Sequence, residues 1–70
     1  MPNLRNEPDR VLRASEAARK LGIGRTAFYE LLKTEGFPAP IVLSARSRGY
    51  SERELDAWIA SRPRARRFSR

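Results

Sequence analysis

Apolar residues recur at helical spacing in three short stretches of the chain. In the first, Ala14, Ala17, Ala18 and Leu21 fall at i, i+3, i+4 and i+7, which puts one narrow face of small side chains against a neighbour. The pattern predicts a helix over about 15–22, with Ser15 as its cap and Glu16 at the positive end of its dipole. Gly22 supplies the permissive backbone that ends it, and Ile23 is an apolar plug within a tight turn. The second stretch predicts a helix over about 25–35, closed by Gly36 ahead of Pro38. At about 100° per residue, Ala27, Phe28, Leu31 and Leu32 share the side to be buried, and Arg25, Thr26, Tyr29 and Lys33 share the other, with Glu30 at its margin. The third stretch opens on a capping box, Ser51-Glu52-Arg53-Glu54, and carries Leu55, Trp58 and Ile59 as its inward stripe. It predicts a helix over about 51–61, stopped by Pro63.

Between the second and third stretches the periodicity changes. Phe37-Pro38-Ala39-Pro40 forbids helix, and Phe37 reads as core. Ile41-Val42-Leu43 has strand character, Arg48-Gly49-Tyr50 returns beside it, and Ser44-Ala45-Arg46-Ser47 makes the loop. A two-stranded hairpin is marginal alone, so this one must lean on the helices. Arg10-Val11-Leu12-Arg13 is read as a brief extended segment that lays Leu12 over the core. Met1–Asp9 is polar, has two prolines and no periodicity, and is expected to be a flexible arm. The expected organisation is an arm over 1–9, a domain over 10–62 and a basic tail over 63–70. The fold class is mostly α with a small β-hairpin: two helices joined by a tight turn, then a wing over about 41–50, then a third helix. That is a winged helix-turn-helix.

Charge sharpens this picture. Fifteen Lys and Arg stand against eight Asp and Glu, a formal net charge of +7 on 70 residues. A chain this basic calls for a polyanionic partner, with nucleic acid ahead of an anionic membrane surface. No acid lies between Arg46 and Tyr50, and none follows Asp56. The outer face of the second helix, Arg25, Thr26, Tyr29 and Lys33, suits a major groove, where cations reach phosphates or guanine edges and hydroxyls bond to either. Arg46, Ser47 and Arg48 have the composition of a wing that touches the backbone or enters the minor groove. The tail cations Arg64, Arg66 and Arg67 would add affinity without sequence preference. Each feature has a plainer counterpart: a solvated helical hairpin, a loop whose arginines keep it soluble, a tail that suits RNA equally well.

Other classes are narrowed by what is missing. There is neither histidine nor cysteine, which removes the commonest general base, the commonest metal ligand and any disulfide. No phosphate-cradling glycine loop is present, so an enzyme is not expected and no cofactor is called for. No apolar run approaches the ~20 residues that cross a bilayer, and the start of the chain has no apolar signal core, which points to a cytoplasmic protein without membrane attachment. A protein-interaction module would use the same core without needing Arg25, Lys33 and Arg46 together. An RNA binder would lack the sheet-borne aromatics of common RNA modules.

The order ASEAARKLGIGRTAFYELLKTEGFPAPIVL, then RSRGYSERELDAWIASR, resembles the AlpA-type phage regulators and the related excisionases, small members of the MerR-like winged-helix group. The resemblance runs from about Leu12 to Arg62. It rests on GRTAFYELLKTEGFP and YSERELDAWI in that order and spacing; Gly24 stands where the family usually has a serine cap, and Tyr50 where it has tryptophan. It implies that Arg25, Thr26, Tyr29 and Lys33 line the recognition helix and that Arg46 and Arg48 belong to the wing. The implied partner is double-stranded DNA, with cooperative self-association on it and an integrase as further partners. Such proteins divide between excisionases that bend attachment-site DNA and regulators of prophage genes. The small size tilts the expectation toward the excisionase.

Overall fold

A computed structural model of the protein describes residues 9–65. The elements run β1 (Val11–Leu12), α1 (Ala14–Leu21), α2 (Arg25–Leu32), β2 (Ile41–Val42), β3 (Arg48–Ser51) and α3 (Glu52–Ala60). Three helices and a small antiparallel sheet make up the expected mostly α, winged helix-turn-helix arrangement. The sheet has three strands in the order β1-β3-β2 instead of the two expected. Its third member is the Val11–Leu12 segment, which pairs Val11 with Ser51 and Leu12 with Tyr50. On the other edge Ile41 pairs with Gly49 and Val42 with Arg48. The hairpin thus gains a partner strand where it most needs one.

The helix-turn-helix forms for the reasons its spacing suggests. Ala17 and Ala18 are buried, and their small side chains let α2 approach α1 closely. Gly22 takes a left-handed conformation at φ 74°, so that its own amide reaches the Arg19 carbonyl and the Ile23 amide reaches that of Ala18, each at 3.0 Å. This pair of bonds closes the helix and swings Ile23 onto the core. At the other end α1 begins one residue before Ser15. Arg13 occupies the cap, and its backbone amide donates to Glu16 Oε1 at 2.8 Å. Glu16 therefore does the work expected of Ser15, because the chain leaving β1 turns into the helix a residue early.

Further expectations are corrected. α2 stops at Leu32 instead of about 35; Thr34 and Phe37 continue in turns, and Gly36 at φ 91° redirects the chain. Ala27, placed on the inward side by spacing, is exposed. In an eight-residue helix Phe28, Leu31 and Leu32 suffice to meet the core. Phe28 is fully buried and its ring meets Tyr29, Phe37 and Tyr50 edge-on, at 5.8, 5.9 and 5.0 Å between centroids. Phe37 in turn meets Trp58 at 4.8 Å. Leu12, Leu55 and the two alanines complete this core. Trp58 is half-buried and joins the post-α2 turn to α3, with the Arg62 guanidinium over its ring at 4.6 Å. Ile59, expected in the inward stripe, is 41% exposed.

The start of α3 is held by residues from the far end of the chain. Its Glu52 amide donates to the Arg10 carbonyl at 2.9 Å, its Arg53 amide to Asp9 Oδ1 at 3.1 Å, and its Glu54 amide to Ser51 Oγ at 3.1 Å. The Ser51 hydroxyl donates to Asp9 Oδ2. Asp9, grouped by composition with the arm, is thus a second cap for α3; the remainder of the arm, 1–8, lies outside the described residues. The Ser51 hydroxyl, then the Arg53 amide, hold the Asp9 carboxyl below its ordinary value. A lowered folded value means that Asp9 stabilises the fold above its unfolded pKa of about 3.9 and loses that contribution as pH falls through the folded value.

Two stability outcomes follow from these contacts. Asp9→Asn lowers the melting temperature at pH 7, and the gap from the parent closes in melts taken well below pH 4, where both chains carry an uncharged side chain. A Cβ at Gly49 would lie 2.3 Å from Val11 Cγ1 and 3.1 Å from Leu43 Cδ1, and the β-branched Val11 cannot swing clear. Gly49→Ala therefore destabilises by about 1–3 kcal/mol, and adding Val11→Ala recovers part of the loss in a double-mutant cycle.

Candidate nucleic-acid interface

The candidate surface is built on α2. Because its inward side chains are spent on the aromatic core, Arg25, Thr26, Tyr29 and Lys33 are left on the exposed side, as spacing predicts. Gly24 caps the helix in extended conformation without a side-chain bond, and the first turn contains no acid. The positive end of the dipole is thus reinforced by Arg25 and opposed by no acid in the first turn. Lys33 caps the other end, 3.8 Å from Glu30, and both side chains are mostly exposed. Such a pair is weak in water and leaves the ammonium available.

Tyr29 and Tyr50 bring this face up to the wing. Both rings pack on Phe28, one from α2 and one from β3. Burial pushes the Tyr50 phenol above its ordinary value; the nearby Tyr29 phenol adds to this and Arg48 opposes it. The base of the wing and the middle of α2 are therefore joined through Phe28, with Tyr29 exposed and Tyr50 buried beside it.

The wing residues separate into two roles. Arg46 is exposed at the loop and its side chain has no ion-pair partner among the described residues. Arg48 is also exposed, but its Nη1 donates to the Ser44 and Ser47 carbonyls at 3.1 and 3.2 Å. Together with the Leu43 and Ser44 amides donating to the Ser47 carbonyl at 2.9 and 3.3 Å, it braces the turn from within. Ser47 is half-buried in that turn, its amide returning to the Ser44 carbonyl at 3.3 Å. Of the three wing residues read from sequence, Arg46 is the free cation, and Arg48 and Ser47 shape the loop. In the tail Arg64 is exposed, whereas Arg66 and Arg67 lie outside the described residues.

Acidic groups are collected elsewhere. Lys20 on α1 sits 3.3 Å from Glu52 and 2.8 Å from Asp56, which ties α1 to α3 and offsets one of the two carboxylate charges. Asp56, then Glu52, raise the Lys20 ammonium above its ordinary value despite partial burial. Glu52 and Asp56 thus have a structural partner in Lys20. Arg10, Arg13 and Arg19 are further exposed cations without an ion pair among the described residues, and sequence reasoning passed over them. The signal was masked by Glu16, three residues from both Arg13 and Arg19, whose carboxylate is committed to a backbone amide. Among the described residues no cluster of His, Cys, Asp or Glu is placed to hold a metal, and no helix is long and apolar enough to cross a membrane.

Residues 10–63 match the family described as prophage CP4-57 regulatory protein (AlpA). The chain belongs to the AlpA family of phage regulatory proteins. The match spans every element from β1 to α3, so the AlpA assignment and the helix-turn-helix with wing rest on the same residues. The chain is also similar to "Uncharacterized protein ORF88" of Enterobacteria phage P4, with 31% identity over 62 residues, covering 89% of this chain and 68% of that protein. No solved structure matches it. AlpA proteins are regulators of phage type.

The brace assigned to Arg48 is testable without a ligand. Arg48→Ala speeds amide hydrogen exchange at Leu43, Ser44 and Ser47 and leaves the helices unchanged. Arg46→Ala changes none of them.

Proposed function

We propose that this AlpA-family protein binds double-stranded DNA of a phage or mobile element, with α2 in the major groove and the wing on the adjacent backbone or minor groove. The observation that carries this reading is the exposed row Arg25, Thr26, Tyr29 and Lys33 on a helix whose opposite side is anchored in the core. Arg46 on the wing extends the row, and Arg64, Arg66 and Arg67 add electrostatic grip. Lone DNA-binding modules bury only about 600–1,000 Å², so several copies bind neighbouring sites cooperatively to reach useful affinity.

Within this reading the protein acts as an excisionase, a recombination directionality factor that binds and bends attachment-site DNA alongside an integrase. A second reading is favoured by the family description itself, which is that of a regulatory protein: control of prophage or integrase transcription from a promoter site.

Footprinting on the DNA that flanks the gene, including any integrase gene and attachment site, tests both. Discrete protection by the parent chain, lost in Arg25→Ala/Lys33→Ala with folding intact, is the expected result. Arg46→Ala should lower the slope of log affinity against log salt by about 0.9, the value of one phosphate contact. Protection at the attachment site supports the excisionase, and protection at a promoter alone supports the regulator. Diffuse binding that salt erases, equal in parent and variant, would assign binding to the tail and remove α2 from the mechanism.

A further inference from the structure

Four of the partly buried apolar side chains packed against the core, Leu21, Ile23, Leu31 and Trp58, also line one groove. Ile59, which α3 leaves 41% exposed, adds a fifth. The groove lies where the end of α1, the turn after it and α2 meet the last turn of α3 and the chain that leaves it. Its volume is about 900 Å³, room for several side chains. Single apolar groups are ordinary on a surface, whereas five that converge in one trough mark a place of contact. At about 100° per residue, Leu31 lies at least about 120° round α2 from Arg25, Thr26, Tyr29 and Lys33. An occupant therefore meets α2 on the side away from that row.

Charge decides what the occupant is. No acid lines the groove. Lys20 lines it but is already engaged by Glu52 and Asp56. The Arg62 guanidinium lies 4.6 Å from the centre of the Trp58 ring, and its Nε donates to the Trp58 carbonyl at 3.3 Å. Neither Arg62 nor Arg64, which also lines the groove, has an ion pair among the described residues. The five residues after Ala65 would bring Arg66, Arg67 and Arg70 beside these cations, and a second copy of the chain carries the same +7. Like charge disfavours both, and an acidic partner is favoured. A small molecule is fixed by a few buried polar groups, and Lys20, the one half-buried polar side chain of the lining, is spent.

We propose that this groove docks an acidic amphipathic helix of a partner protein, its apolar side on Leu21, Ile23, Leu31, Trp58 and Ile59 and its carboxylates facing Arg62 and Arg64. Helices bind such troughs through apolar anchors at i, i+3 or i+4 and i+7. Trp58 with Arg62 over it supplies the two residue types that most often dominate a protein interface. The inference goes beyond the DNA-binding reading and stands without it.

The test selects a display library of random peptides, about four helical turns long, on the full-length parent. Recovered peptides are then titrated while Trp58 emission is followed. Trp58 is the single tryptophan of the chain, so the signal reports this groove. The expected peptides carry several Asp or Glu and apolar residues at i, i+3 or i+4 and i+7, and they shift the emission. They bind Arg25→Ala/Lys33→Ala as tightly as the parent. Ile59→Gln, a good helix former at an exposed position, weakens them about 10-fold. Arg62→Glu does the same, and Arg62→Lys restores most of the binding. Recovery of no peptide, or only of peptides without this acidic pattern, overturns the proposal. So does binding lost in Arg25→Ala/Lys33→Ala but kept in Ile59→Gln, which would make the peptides mere polyanions on α2. An emission that shifts with protein concentration alone gives the groove to a second copy. A shift in the free protein on Phe68→Ala, with tighter peptide binding, gives it to the chain's own tail. Either result overturns the proposal.

Discussion

The position of Phe28 is the constraint on which the rest of the structure depends. Its ring is wholly buried yet touches Tyr29 on the exposed helix face, Tyr50 at the wing base and Phe37 in the turn beyond α2. Each contact ties a separate part of the chain to one rigid body, so the angle between α2 and the wing is set by an aromatic group that never meets solvent. Truncating a buried Phe costs about 3–5 kcal/mol. Folded domains are stable by only about 5–15 kcal/mol, with small ones at the low end. The residue that aims the basic surface is therefore also one without which a domain this small barely folds.

A second constraint runs from the opposite end of the chain. Ser51 ends β3 and caps α3 with no loop between them, and Asp9 and Arg10 take up the next two amides. The same few residues make β1 the third strand of the sheet, so the chain's entry, the wing and α3 share one knot of backbone bonds. Charge is sorted around it. Lys20 gathers Glu52 and Asp56 at the α1–α3 contact, while Arg25, Lys33 and Arg46 stand on elements whose only nearby acids are Glu30 and Glu35.

Much of this was legible in the sequence, for identifiable reasons. Alanines at helical spacing followed by Gly22 and Ile23 specify α1 and its turn through local rules alone, and the outer row of α2 follows from Phe28, Leu31 and Leu32 lying opposite. What escaped was non-local. Nothing in Asp9 marks it as a cap for a helix more than forty residues away, and Val11-Leu12 becomes a strand only because β3 has a free edge. Ala27 and Ile59 fit the inward stripes by angle, but the core is too small to cover them. Ser15 is an ordinary cap residue displaced by Glu16, whose carboxylate reaches the Arg13 amide from within the first turn. The charge of Arg48 is visible in a sequence, whereas the two carbonyls it holds are not.

That last case explains how a short ribbon can stand away from the core with its side chains unspent. A hairpin usually stays folded by burying one face. Here β3 buries Tyr50 and Ser51 near the body, and beyond them the ribbon is sustained by ladder bonds, by the turn around Ser44 and Ser47, and by the Arg48 guanidinium that closes it. Because backbone and guanidinium hold the turn, Val42 is not required for packing, and Leu43 needs only the glycine surface beneath it. Apolar side chains exposed at a projecting tip are otherwise a liability in water. Their retention is possible because ladder bonds and the Arg48 guanidinium, not side-chain burial, hold the ribbon.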